Sequence, residues 1–242
     1  MAGTSRARLV LILAAVVFLS SCSTDGRPVR AANEPFGGDD QTTSTTDAPG
    51  DDESPAKNGE AFRVFAGTGA PKVTVTVIAD LACPACKVFE STFGPVLDAY
   101  RGDPDVAVDY RVISFLDRMS SDRYSSRAAN ASHCVWHAAE ATPAHTQDWR
   151  EFQSIMFENQ PPEGGPGLST TQLAQFATTA GMPSANRCIL ESKRSSDVSA
   201  VTRAVTNDPT FQGTPTVKIN GDTYTPTTPT ALKSAIDQAK RN

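Results

Sequence analysis

Val73-Thr74-Val75-Thr76-Val77-Ile78-Ala79-Asp80-Leu81-Ala82-Cys83-Pro84-Ala85-Cys86-Lys87 runs from an alternating apolar segment into two cysteines separated by two residues. Alternation of Val73, Val75 and Val77 with Thr74 and Thr76 predicts a strand, and a helical pattern begins near Lys87. The cysteines therefore sit at a strand-to-helix junction. A leading cysteine at the start of a helix meets unpaired main-chain N–H groups and the positive end of the helix dipole, both of which stabilise a thiolate. Cys83 is the expected nucleophile and Cys86, a turn deeper, the resolving thiol. Pro84 suits this geometry, because a proline at the first helical position loses only an N–H that has no partner there. The spacing alone also fits half of a zinc site.

A second stretch narrows the reading. Gly213-Thr214-Pro215-Thr216-Val217 leads into a short β pattern and then Asn220-Gly221, a two-residue hairpin signal. Together, Cys83-Pro84-Ala85-Cys86 and Gly213-Thr214-Pro215-Thr216 resemble the thioredoxin superfamily, and the long interval between them resembles its DsbA-like branch, here of the actinobacterial lipoprotein type. The resemblance covers about the last three quarters of the chain, the size of an ordinary domain. It implies an α/β thioredoxin fold interrupted by an all-helical subdomain at about residues 120–208. It also makes Pro215 the family's cis-proline facing the dithiol, and Thr214 the residue whose main chain pairs with substrate.

The chain has 242 residues, 39% hydrophobic and 20% charged, the proportions of a soluble globular protein with room for one domain plus appendages. The net charge of −5 is unevenly spread: residues 23–60 carry −6 and the first 22 carry +2 from Arg6 and Arg8, leaving −1 from Ala61 onward. A nearly neutral domain without a basic stripe argues against nucleic-acid binding.

Arg6 and Arg8, an apolar run from Leu9 to Leu19 and then Leu19-Ser20-Ser21-Cys22 read as an export signal. The run is short of the ~20 apolar residues that span a bilayer. Leu19-Ser20-Ser21-Cys22 resembles a bacterial lipobox, which implies cleavage before Cys22 and its diacylation; an ordinary secretory signal with an incidental cysteine is the alternative. Residues 1–22 are thus expected to be a lipoprotein signal and 23–60 a disordered acidic tether rich in Asp, Thr, Ser, Gly and Pro. The cluster Thr42-Thr43-Ser44-Thr45-Thr46 gives a weak hint of glycosylation. Residues 61–242 are expected to form the folded domain, placed on the extracytoplasmic side of the cell membrane.

Along that domain, Ala61–Phe65 and Lys72–Ala79 read as strands, Lys87–Tyr100 as a helix kinked at Gly94-Pro95, and Val106–Phe115 as a third strand reached by a right-handed crossover. Helical patterns follow near 122–141, 146–159, 170–180, 185–192 and 197–206, with a capping box at Ser169 and Gln172. Trp136 and Trp149 read as packing residues. Thr216–Ile219 and Asp222–Thr225 form the expected hairpin, and Thr228-Pro229 opens a closing helix.

With Cys22 lipidated and Cys83 and Cys86 forming the dithiol, Cys134 and Cys188 remain, and export favours one structural disulfide between them. The competing metal reading takes Cys134 and His137 with Cys83 and Cys86 as a zinc set; it leaves Cys188 unpaired and does not account for residues 213–216, so no metal and no cofactor is expected. His133, His137 and His145 otherwise read as surface or capping residues. Lys87 after Cys86 does not support haem attachment. Ala85 stands where the best-known DsbA enzymes carry histidine, and Val77 where the family often has a buried acid, so thiolate stabilisation falls to the helix terminus and nearby N–H groups. The potential is therefore expected between about −270 mV, as in thioredoxin, and about −120 mV, as in DsbA. Asp80, three residues before Cys83, is a candidate to assist proton transfer to Cys86, or else an exposed carboxylate solvating the loop.

These readings lead to a thiol–disulfide oxidoreductase that oxidises cysteine pairs in unfolded or reduced exported proteins. The resemblance implies re-oxidation by a membrane quinone-linked partner of the DsbB or VKOR type. An isomerase or reductase of the same fold, and a non-catalytic binding lipoprotein, are the alternatives.

Overall fold

The computed structural model describes residues 61–140 and 145–242. The expected signal, Cys22 and the tether lie outside the described residues.

Five strands form one sheet in the order β1-β3-β2-β4-β5: β1 Phe62–Val64, β2 Val73–Ala79, β3 Val106–Val112, β4 Thr216–Ile219 and β5 Asp222–Tyr224. Only β2 and β3 are parallel, in register Val75 to Val108, and they are joined through helix α1 (Pro84–Asp98). The edge strand β1 pairs antiparallel with β3, while β4 and β5 continue antiparallel from β2. Asn220 (φ 51°) and Gly221 (φ 93°) turn the last hairpin in left-handed conformations that Asn and Gly adopt at least cost. Asn220 also accepts from the Thr74 N–H at 2.8 Å, tying the turn to the start of β2.

Between β3 and β4 lie a 3-10 turn at Phe115–Met119 and helices α2 (Tyr124–Ala139), α3 (His145–Glu158), α4 (Thr170–Thr179), α5 (Asn186–Leu190) and α6 (Ser195–Thr206). Helix α7 (Pro229–Ala239) closes the chain and meets α1, where the Tyr100 hydroxyl donates to Asp237 at 2.6 Å. Ser169 and Gln172 cap α4 reciprocally, and Thr228 caps α7 ahead of Pro229. No helix among the described residues is long and apolar enough to cross a membrane.

Val73, Val75 and Val77 are buried with α1 residues Phe89, Phe93 and Leu97. Simple alternation fails at the end of β2. Ile78 is also buried, on the opposite face, with Ile113, Val201 and Val205, because α6 covers that face. The C-terminal end of β2 is therefore enclosed from both sides, and the loop that follows it emerges from a rigid base.

Several element boundaries differ from the sequence expectation. Strand β3 stops at Val112 and the chain turns into the 3-10 segment; the expected helix at 185–192 is split into a 3-10 turn at Pro183–Ala185 and the short α5. Helix α1 begins at Pro84, not Lys87, and continues through Gly94-Pro95 to Asp98. A Cβ at Gly94 would stand 2.7 Å from a Glu90 carboxylate oxygen and 3.4 Å from Arg150 Nη2, so the missing side chain leaves room for the Arg150–Glu90 ion pair that joins α3 to α1. The Arg150 Nε also donates to Asp98 at 3.1 Å.

Trp136 and Trp149 pack edge to face at 5.4 Å, with Phe62 stacked on Trp136 at 4.9 Å. Trp149 donates its indole N–H to Ser132 at 3.0 Å, satisfying the polar atom that burial would otherwise orphan. His133 corrects the surface assignment: it is 4% exposed and edge-on to Phe62 at 4.6 Å. Burial lowers its pKa to about 4, so it sits neutral in the core.

Candidate active site

Cys83 is the N-cap of α1 and has extended backbone geometry (φ −82°, ψ 118°), with Pro84 at the first helical position. Its N–H donates to the Asp80 carbonyl at 3.0 Å, and its own carbonyl accepts from the N–H groups of Cys86 at 3.0 Å and Lys87 at 3.2 Å. Both Cys83 and Cys86 are free thiols in mostly buried positions, 7% and 1% exposed. The Cys83 sulfur lies 3.3 Å from the Thr214 carbonyl, and the Thr214–Pro215 peptide is cis. Gly213, at φ 148°, turns the chain into that peptide in a conformation side-chain-bearing residues rarely adopt.

The two thiols are electrostatically unequal. A hydrogen bond from Cys86 is the largest influence on Cys83; against the cost of burial, and with help from the Thr214 side chain and the N–H groups of Cys86 and Ala85, it lowers the Cys83 pKa to about 6. Burial pushes Cys86 well above its ordinary value, reinforced by the neighbouring Cys83 sulfur. At neutral pH Cys83 is thus largely thiolate and Cys86 protonated, as one attacking and one proton-holding sulfur require.

Asp80 corrects the exposed-carboxylate reading, since it is 0% exposed. Its Oδ1 accepts from the Ala82 N–H at 2.9 Å, and its Oδ2 from the Leu116 N–H at 2.8 Å and the Ser125 hydroxyl at 2.6 Å. Burial raises its pKa to about 6 against the pull of these donors. Val77 is part of the core at 2% exposure, so the buried acid beside this dithiol comes from Asp80. Its carboxylate fastens the loop before Cys83 to the 3-10 turn and to α2, and its main chain reaches Cys86.

Gln160, which sequence reasoning passed over, donates through Nε2 to the carbonyls of Leu81 at 2.8 Å and Cys83 at 3.0 Å. The only signal in the sequence was its place before Pro161-Pro162, which reads as a helix stop and says nothing of the target.

Beside Cys83 runs a groove of about 850 Å³, lined by Val88, Phe89 and Phe93 of α1, the Thr214–Pro215 loop, and Tyr224. Among the described residues, none that lines it is charged. Val88 is 64% exposed there, an apolar side chain offered at the surface.

Cys134 and Cys188 are bonded to each other, joining α2 to α5 across 54 residues. This removes Cys134 from any zinc set with the dithiol. A separate group, His133, His137 and Asp197, brings its donor atoms within 4.8 Å of one another. Each is already engaged: His133 with the Val112 carbonyl at 3.4 Å, His137 with Glu140 at 3.3 Å, and Asp197 with Arg194 at 3.3 Å.

A family model described as Thioredoxin matches residues 62–238. The structure is similar to that of reduced DsbA from Mycobacterium tuberculosis, with 33% identity, a TM-score of 0.65, and coverage of 76% of this chain and 94% of that one. It is equally similar to the reduced disulfide bond oxidoreductase DsbG of the same organism, at 33% identity and TM-score 0.65, covering 76% and 89%. Among curated proteins, the serine/threonine-protein kinase PknE of M. tuberculosis is 33% identical over 149 residues, 60% of this chain. The chain spans about a quarter of the length of the curated relatives it matches.

Proposed function

The chain belongs to the DsbA-like branch of the thioredoxin superfamily, and from that premise we propose that it is an extracytoplasmic thiol–disulfide oxidoreductase that oxidises cysteine pairs in exported proteins. The observation that carries the reading is the inequality of the thiols: Cys83 ionises near pH 6 while Cys86 is held protonated. An enzyme whose reduced form contains a stabilised thiolate gains little by returning to the disulfide, so it passes its disulfide on.

In the forward reaction a substrate thiolate attacks Cys83 of the Cys83–Cys86 disulfide. The substrate–Cys83 bond forms, the Cys83–Cys86 bond breaks, and Cys86 leaves as a thiolate that takes up a proton. A second substrate thiolate then attacks the substrate sulfur of the mixed disulfide. The substrate leaves with its own disulfide, and Cys83 leaves as the stabilised thiolate. Thr214, half-buried against the Cys83 sulfur, would pair through its main chain with an extended substrate segment, and the uncharged groove beside it suits an unfolded chain better than a charged small molecule. In this reading the buried Asp80 carboxyl, its pKa raised to about 6, exchanges a proton with Cys86 near neutral pH.

The anchor and the electron acceptor are part of the same proposal. Lipidation of Cys22 would hold the domain at the outer face of the cell membrane, within reach of a quinone-linked re-oxidant of the DsbB or VKOR type. The test of direction is the equilibrium of the dithiol with glutathione, together with oxidative refolding of a reduced, unfolded ribonuclease. A potential above that of thioredoxin, with disulfides delivered stoichiometrically to the substrate, is expected. A potential at or below about −270 mV, with reduction of insulin as the faster reaction, would instead establish the reductase. Mass spectrometry of the mature N-terminus tests the anchor: diacylated Cys22 supports it, and an unmodified Cys22 or cleavage elsewhere removes it.

A further inference from the structure

The dithiol loop is held by three contacts: with Asp80, with Thr214, and with Gln160, which lies just past the end of α3. The last contact comes from a part of the chain to which the thiol chemistry assigns no role. Helix α3 ends at Glu158, and Pro161-Pro162 follows after Asn159 and Gln160. Neither proline has an N–H to continue the helix, and the first biases Gln160 away from helical geometry. The approach to Gln160 is anchored along its length. The Lys87 ammonium of α1 donates to the Glu158 carbonyl at 3.2 Å, Phe157 is buried at 4% exposure, and the Gln160 N–H donates back to the Phe157 carbonyl at 3.3 Å. A long side chain is thus launched from a fixed point toward the start of α1.

We infer that Gln160 is a positioning residue for the thiol chemistry, its side-chain amide holding the Leu81 and Cys83 carbonyls and so fixing the loop that presents the Cys83 sulfur to Thr214. Both contacts are to carbonyl oxygens, so only the amide nitrogen is able to face them; reversing the amide would set oxygen against oxygen. The two carbonyls flank the segment 81–83, one on each side of Ala82. With one nitrogen bridging them, that segment is clasped as a unit.

There is an electrostatic consequence as well. The Cys83 carbonyl belongs to the same residue as the thiolate, and its partial negative charge opposes the charge on sulfur. A donated N–H offsets part of that opposition, as do the N–H groups of Cys86 and Lys87 on the same oxygen. Asparagine, one methylene shorter, falls short of the carbonyls. Leucine fills the space and donates nothing, and glutamate puts a negative charge where the two donors stood.

The experiment compares Gln160→Leu, Gln160→Glu and Gln160→Asn with the wild type by three readouts: thiolate absorbance at 240 nm against pH, the equilibrium constant with glutathione, and the melting temperature. A hydrogen bond has a net worth of about 1 kcal/mol, so Gln160→Leu is expected to require about threefold to tenfold less acid to protonate Cys83. The glutathione equilibrium should move by a similar factor toward the protein disulfide, because losing thiolate stabilisation makes the reduced form less favoured. Gln160→Glu should move both further in the same direction at pH 7.5, and Gln160→Asn should move both less than leucine does. A lower melting temperature with wild-type thiolate titration and wild-type glutathione equilibrium would show that Gln160 only terminates α3, and would overturn the inference; so would no change in any readout. If a variant does not fold, the wild-type protein still decides: the Gln160 side-chain amide protons should exchange slowly with solvent, and exchange at the rate of a free amide overturns the assignment. Thiolate titration and glutathione equilibrium read the site whichever way electrons flow in the cell, so failure here is distinct from failure of the oxidant reading.

Discussion

Removing the bridge between Cys134 and Cys188 tests how the helical insertion is held, and its cost follows from the chain itself. The bond closes a loop across 54 residues. In the chain-entropy treatment, a loop of that length gives about 14 cal/mol/K of unfolded-state entropy, or about 4 kcal/mol at 25 °C. Alanine is the appropriate replacement at both positions, because Cys134 is 1% exposed and a serine hydroxyl there would be buried without an assured partner. For a domain of this size, 1 kcal/mol corresponds to about 2–4 °C, so the double variant should melt about 8–16 °C lower. The thiol site should be spared: Cys134 is nine residues along α2 from Ser125, the residue that holds Asp80, which is about 13 Å of helix. Thermal and urea unfolding followed by circular dichroism measure the first quantity, and equilibration with glutathione the second. A loss below about 1 kcal/mol would mean that the insertion is held by packing alone. A change of more than about twofold in the glutathione constant would show that α2 transmits strain to the dithiol, and that the Cys83 thiolate is not set by its immediate neighbours alone.

Two further outcomes follow from the ionisation of the site. Alkylation of reduced protein at Cys83 should rise through about pH 6 and then level off, whereas Cys86 in a Cys83→Ala variant should stay unreactive until strongly alkaline pH; a Cys83 profile that rises only near pH 8 to 9 would refute the thiolate assignment. Asp80 has a folded pKa raised from 3.8 to about 6, so its contribution to stability is full below 3.8 and is lost as pH rises through about 6. Asp80→Asn removes that loss. Its stability relative to the wild type should improve by about 2 kcal/mol between pH 4.5 and pH 7.5, and a difference that is flat with pH, measured by urea unfolding at both values, would show that Asp80 ionises normally.

Much of the framework was legible because its signals are local. A proline directly after Cys83 marks the first turn of α1, alternating valines mark β2, Ser169 and Gln172 lie one turn apart, and Asn220-Gly221 specifies its own backbone. Each depends on residues close enough in sequence to interact whatever the rest of the chain does. The Cys134–Cys188 pair was legible by count and not by locality, since its bond spans 54 residues. The family resemblance added the facing of Pro215 and Cys83, which composition and periodicity do not contain.

The environment of the thiols, in contrast, is assembled from distant segments. Asp80 meets Leu116 36 residues away and Ser125 45 residues away, Gln160 reaches Cys83 across 77, and Thr214 reaches it across 131. An aspartate before a cysteine motif reads equally as a loop carboxylate in water or as a buried acid, because the residue carries no mark of what will cover it. The same is true of His133, which Phe62 and the β3 carbonyl of Val112 enclose from elements far from it in the chain. Short-range sterics and main-chain hydrogen bonding select the strands and helices within a few residues. Burial, and with it the ionisation of Asp80, Cys83 and Cys86, depends on the low-dielectric surroundings that exist only once the helical insertion has closed over the sheet.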